Sequence, residues 1–186
     1  MTPYTDYLMV ISPPENIIKE VERYKRASVN LIGHFEGMHR TAQVIITHQT
    51  RCKPFLVQPA ITAMATRLGN MPPVELRVNG FAFFTKGHAK TICAVIESTV
   101  KTDNWFKLLN NQMGIKVKNF VPHIIIASNI PVTSFNKLWP NFENREWSET
   151  FTVNSLTILH RDTFVEYCEW KVYRELFFAN KLKEMF

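Results

Sequence analysis

Of the six histidines in the chain, His123 has the setting best suited to chemistry. It lies in Val121-Pro-His-Ile-Ile-Ile-Ala127, a short apolar run that predicts a strand. Successive side chains of a strand alternate between its faces. Val121, His123, Ile125 and Ala127 therefore share one face, and Ile124 and Ile126 take the other. An imidazole held in mid-strand is rigidly placed and titrates near neutral pH. It can act as a general acid or base, or it can be a hydrogen-bonded core histidine. The strand pattern leaves both open. His34, His88 and His160 fall in predicted loops and read as exposed polar residues.

The elements that must hold such a residue are legible along the whole chain. Tyr7-Leu-Met-Val-Ile-Ser12 predicts a buried strand, and a helix follows over 14–28 with Ile17, Ile18, Val21 and Tyr24 on one face. Thr41-Ala-Gln-Val-Ile-Ile-Thr47 predicts the second strand, and 57–68 a second helix. Val74–Phe84 and Thr91–Ile96 form a hairpin around the turn Thr85-Lys-Gly-His88. Asp103 is the expected N-cap of a helix over 104–113, stopped by Gly114. After the His123 strand comes a short helix over Phe135, Leu138 and Trp139, capped by Thr133 or Ser134. One long strand then runs over 151–159, and its partner over 168–177. The tail from Asn180 is expected to be loosely attached. The order β-α-β-α-β-β-α-β-α-β-β predicts the α+β class. The strands at 41–46 and 121–126 begin 80 residues apart, and each leads into a helix and then a hairpin. A duplicated unit would form two lobes facing each other across a groove.

The totals narrow the function classes. The 186 residues fit a single domain, expected to be bilobal over 1–186, and are 46% hydrophobic with a net charge of +6. A mild basic excess suits an anionic partner such as a nucleotide or RNA. Lysine and arginine are scattered, with no basic tail, which argues against tracking along duplex DNA. Cys52, Cys93 and Cys168 are too far apart for a zinc knuckle or redox pair. No apolar run approaches the roughly 18 residues of a membrane span, and no basic leader opens the chain. A cytoplasmic location is expected, with no membrane partner. No His/Asp/Glu set has metal-ligand spacing, so neither metal nor cofactor is expected.

Across residues 4–179 the order of elements resembles the two-histidine phosphoesterases, the 2′-5′ RNA ligase-like (LigT-like) superfamily. Pro122-His-Ile-Ile-Ile-Ala127 resembles the second of that family's two His-x-Thr/Ser strands. Tyr7–Pro14, Val74–Phe84 and Phe151–Leu159 resemble its opening strand, the strand after the first motif's helix and the closing strand. The resemblance implies a two-lobed pseudo-symmetric α+β fold, with antiparallel sheets lining a central groove and helices outside. It also implies that His123 is an acid/base group. By register the first motif falls on Gln43-Val-Ile45, so Gln43 stands where the family has histidine. Ile45 and Ile125 stand where it has hydroxyl residues.

In the family mechanism one imidazole accepts a proton from the attacking oxygen, the other donates to the leaving oxygen, and the hydroxyls hold phosphate. Glutamine hydrogen-bonds but does not titrate near neutral pH. Loss of one acid/base partner typically removes about 10²–10⁴ in rate. His39 and Thr41 make a literal His-Arg-Thr with the strand parity of Gln43, and His39 is the candidate second catalyst. It would lie about 13 Å upstream in an extended strand. His48 has the opposite parity. The resemblance therefore implies a degenerate member that binds a nucleotide, an RNA end or another phosphoester at His123, Gln43, Thr41, Ile45 and Ile125. The alternatives are a working 2′,3′-cyclic phosphodiesterase or RNA ligase using His123 with His39, and an interaction scaffold without catalysis.

Overall fold

Short β-branched runs separated by amphipathic segments produce alternating strands and helices in the computed structural model, which describes residues 4–181. The strands are β1 Thr5–Ile11, β2 Val44–Cys52, β3 Val74–Lys86, β4 Ala89–Ile96, β5 His123–Pro131, β6 Ser148–Val153, β7 Ser155–Asp162 and β8 Lys171–Phe177. The helices are α1 Glu15–Ile32, α2 Pro54–Gly69, α3 Val100–Met113 and α4 Val132–Leu138, the last continued by a 3-10 turn at Trp139–Asn141. The strands form one antiparallel sheet in the order β6-β3-β4-β5-β2-β1-β7-β8. The α+β expectation holds. β2 leads through α2 to the β3–β4 hairpin, and β5 leads through α4 and β6 to the β7–β8 hairpin. The sheet has two four-stranded halves, joined where β2 and β5 pair at Val44 and Ile124.

One face of the sheet packs on the helices. Ile11, Val44, Ala94, Ile124 and Ile158 are 0% exposed and join Ile17 and Val21 of α1, Leu68 of α2 and Leu109 of α3 in one core cluster. Tyr24 of α1 packs with Phe81, Phe142 and Trp147. Lys25, on the same helix, is buried and donates from Nζ to the carbonyls of Gly37 (3.2 Å) and Arg40 (2.7 Å). Burial, and then the nearby Arg40 charge, push its amine down to about 8. This lysine fastens the connection that delivers Gln43 to β2.

Several boundaries differ from the sequence expectation for identifiable reasons. The predicted strand over 41–47 starts at Val44 and runs on to Cys52, so Thr41 and Gln43 precede it. The predicted long strand over 151–159 is two strands, divided at Asn154. The Asn154 carbonyl accepts the Phe178 N–H (2.8 Å), and the chain crosses there from pairing with β3 to pairing with β1. The α3 cap is Thr99, not Asp103. Thr99 Oγ1 accepts the Thr102 N–H (3.1 Å) and Thr102 Oγ1 accepts the Thr99 N–H (3.0 Å), a reciprocal capping box, while Asp103 accepts from Ser98 Oγ (2.8 Å). Gly114 ends α3 in the left-handed region, as expected. No side chain caps α4, which follows Pro131. Of the tail, Asn180 donates its N–H to the Met71 carbonyl (3.0 Å), and 182–186 lie outside the described residues.

Candidate phosphoester site

The bridge between the halves decides which side chains meet. Val44 and Ile124 pair and face the core. One step to either side, antiparallel pairing sets Ile45 across from His123 and Gln43 across from Ile125. All four side chains then lie on the face opposite the helices. Their exposure agrees: Ile45 is 38% exposed, and Gln43, His123 and Ile125 are half-buried. Gln43 and His123 are diagonal neighbours, a relation that spans about 7–8 Å in a regular ladder.

His123 is oriented by its own strand. Its Nδ1 lies 2.8 Å from the Val121 carbonyl. A carbonyl only accepts, so Nδ1 carries the proton and Nε2 of the neutral ring is left to accept one. The ring meets Phe84 of β3 edge-to-face, with centroids 5.3 Å apart. Val95 of β4 is its partner on the other side. Beside them Cys93, paired with Ile125, is buried and donates from Sγ to the Ala82 carbonyl (3.5 Å). Burial pushes its thiol up to about 11, so it offers no thiolate near neutral pH.

The candidate second histidine is placed elsewhere. His39 is exposed in the turn before β2, and the expectation that His39 and Thr41 share a strand face with Gln43 is corrected by the late start of that strand. The parity of His48 is corrected too. Ile45 pairs with Val10 but Thr47 pairs with Met9, so Ile46 is an inserted residue. A bulge shifts every later side chain by one. His48 therefore pairs with Leu8 and lies on the face of Ile45, about 10 Å farther along the strand. Its ring meets Trp170 edge-on (5.5 Å), and the Arg161 guanidinium lies over that indole (4.5 Å). His160 is half-buried within β7, not in a loop, against Tyr173. His34 and His88 are exposed.

Phe83 packs against Phe135 and Trp139, and Trp147 against Phe81. Phe84 is 41% exposed beside His123. Among the described residues no group of three histidine, cysteine or carboxylate side chains could hold a metal ion, and no helix is long and apolar enough to cross a membrane.

This geometry is a sheet of two antiparallel halves, helices on one face and a histidine at the seam of the other. The sheet of two halves with helices on one face is a LigT-like fold, as the solved structures it resembles show. TT0787 of Thermus thermophilus matches with a TM-score of 0.66 and 14% identity over 94% of this chain and 98% of that one. Escherichia coli LigT complexed with phosphate matches with a TM-score of 0.64 and 9% identity over 93% and 96%. Usb1 of Kluyveromyces marxianus matches with a TM-score of 0.51 and 7% identity over 95% and 99%. No family model and no curated protein matches the sequence.

Proposed function

We propose that the exposed face at the β2–β5 seam binds a phosphoester, either a nucleotide or an RNA end, with little or no turnover. The observation that carries this reading is the convergence of His123 and Gln43 on one exposed face beside the Val44–Ile124 bridge. The free Nε2 of His123, protonated by the approach of an anion, donates to one phosphate oxygen, and the Gln43 amide donates to another. Phe84 supplies a ring edge beside them. The fold likeness to LigT, which has been crystallised with phosphate, 3′-AMP, NADP+ and ATP, supports the ligand class.

Turnover needs a second proton carrier on the opposite side of the phosphorus. Gln43 cannot provide one. Ile45 and Ile125, the cross-strand neighbours of His123 and Gln43, provide no hydroxyl to hold phosphate oxygens. His39 lies off the strand, and His48 is about three residues beyond the seam.

The test is a titration of 3′-AMP with a parallel assay of 2′,3′-cyclic AMP hydrolysis, on wild type and His123→Ala. The expected result is saturable, salt-sensitive binding of 3′-AMP that weakens at least tenfold in the variant, the scale of losing one charge-assisted hydrogen bond, with hydrolysis near background. Hydrolysis well above background that disappears with His123 would establish the working phosphodiesterase instead. Absence of binding would leave the scaffold reading.

A further inference from the structure

His123 is framed by hydrocarbon. Ile45 lies across from it on β2, and Val95 pairs with it on β4. Ile125 stands two residues along its own strand, on the same face. The Phe84 ring meets the imidazole at 5.3 Å. All four are open to solvent: Ile45 is 38% and Phe84 41% exposed, and Val95 and Ile125 are half-buried. The next partners outward continue the pattern, with Val10 beside Ile45 and Cys93 beside Ile125. Apolar side chains exposed singly are ordinary, but a contiguous set around a polar group marks a binding surface.

Polar groups are few here. The Gln43 amide stands diagonally from His123, and the cations of the adjoining strands are engaged elsewhere. Lys90 Nζ donates to Thr85 Oγ1 (2.8 Å) and lies over the Phe83 and Phe135 rings. Arg161 donates from Nε to Asp6 (3.2 Å). It lies four residues along β7 from Thr157, the partner of Val10, or about 13 Å. A site for phosphate alone would gather several cationic or N–H donors around the anion. One imidazole and one amide set in an apolar surface have a different character. They orient a ligand by a few polar groups and hold it by its apolar part.

We infer that the seam selects a phosphoester by an apolar organic group. The phosphate meets His123 and Gln43, and an alkyl or aryl ester group lies on Ile45, Ile125, Val95 and Phe84. A nucleotide would offer this surface its base rather than its sugar. The inference rests on the phosphoester reading of the seam and adds which kind of ester group the phosphate carries.

Titration of the full chain with methyl phosphate, n-butyl phosphate and glycerol phosphate, followed by NMR at the His123 imidazole, tests it. Each methylene that leaves water tightens binding by up to about fourfold, so n-butyl phosphate should bind at least about tenfold tighter than methyl phosphate. Glycerol phosphate, of similar size but hydroxylated, should gain nothing over methyl phosphate. Ile45→Thr/Ile125→Thr keeps the β-branching that suits a strand and should cut the n-butyl preference to about threefold or less. Should the double variant fail to fold, Ile45→Thr alone, at the 38%-exposed position, should lower the same ratio. Equal affinities for the three esters, with His123 moving along a saturation curve for each, would overturn the inference and leave the phosphoester reading standing. An n-butyl preference undiminished in both variants would also overturn it. If no ester moves His123, the phosphoester reading falls and the inference falls with it.

Discussion

Gln43→His combined with Ile45→Thr and Ile125→Thr is expected to raise 2′,3′-cyclic AMP hydrolysis about 10²–10⁴-fold over wild type. On the proposed reading, the substitutions supply a second proton carrier diagonally across the seam from His123, and a hydroxyl beside each imidazole. The positions tolerate the change. Ile45 is 38% exposed and Ile125 half-buried, so neither hydroxyl enters the core, and Gln43 precedes the first residue of β2. Most of the gain is expected from Gln43→His alone, because the imidazole moves a proton while the hydroxyls only hold oxygens. Initial rates of the single and triple variants, with His123→Ala added to each, provide the check. A folded triple variant that stays at the wild-type rate would mean that the two positions do not flank a common phosphorus.

The largest stability effect is expected at Asp6. Its carboxylate is 3% exposed and accepts from the Arg51 backbone N–H (3.0 Å), Thr163 Oγ1 (2.7 Å) and Arg161 Nε (3.2 Å). These bonds tie β1 to the end of β2 and to the loop after β7. Burial alone would raise its pKa. The bonds from Arg51, Thr163 and Arg161, with the Arg161 charge, outweigh it and hold the carboxyl below its usual 3.8. Asp6→Ala orphans a backbone donor and a hydroxyl. Arg161, whose side chain is 36% exposed, can turn towards water. The loss is expected to be about 2–4 kcal/mol, or about 2–4 °C in Tm per kcal/mol for a chain of this size. The linkage has a definite sign. A depressed carboxyl stabilises the fold fully above its unfolded pKa and ceases to do so as pH falls through the folded value. Asp6→Ala should therefore flatten the acid limb of the stability curve. Denaturant unfolding of both proteins between pH 7 and pH 2 measures this, and parallel acid limbs would contradict it.

The α+β order and most elements were readable from periodicity because each buries a strongly patterned face, as Ile17, Val21 and Tyr24 of α1 do. The short apolar runs that hold Val44 and Ile124 were readable as strands, but their pairing with each other was not. Long-range events were not readable. The switch of sheet halves at Asn154 is a choice of partners, invisible in a run of β-favouring residues. The bulge at Ile46 depends on the register against β1, and it turned His48 onto the face from which alternation had excluded it. Phe84 reaches His123 only through the β3–β4 hairpin.

The measurement that bears most directly on the seam is an NMR titration with inorganic phosphate, following the His123 imidazole and the Gln43 side-chain amide. Both should shift along saturation curves with one shared Kd, with His123 Nε2 becoming protonated on binding. Phosphate that moves neither resonance, or moves them with different affinities, would contradict a phosphoester site at the seam.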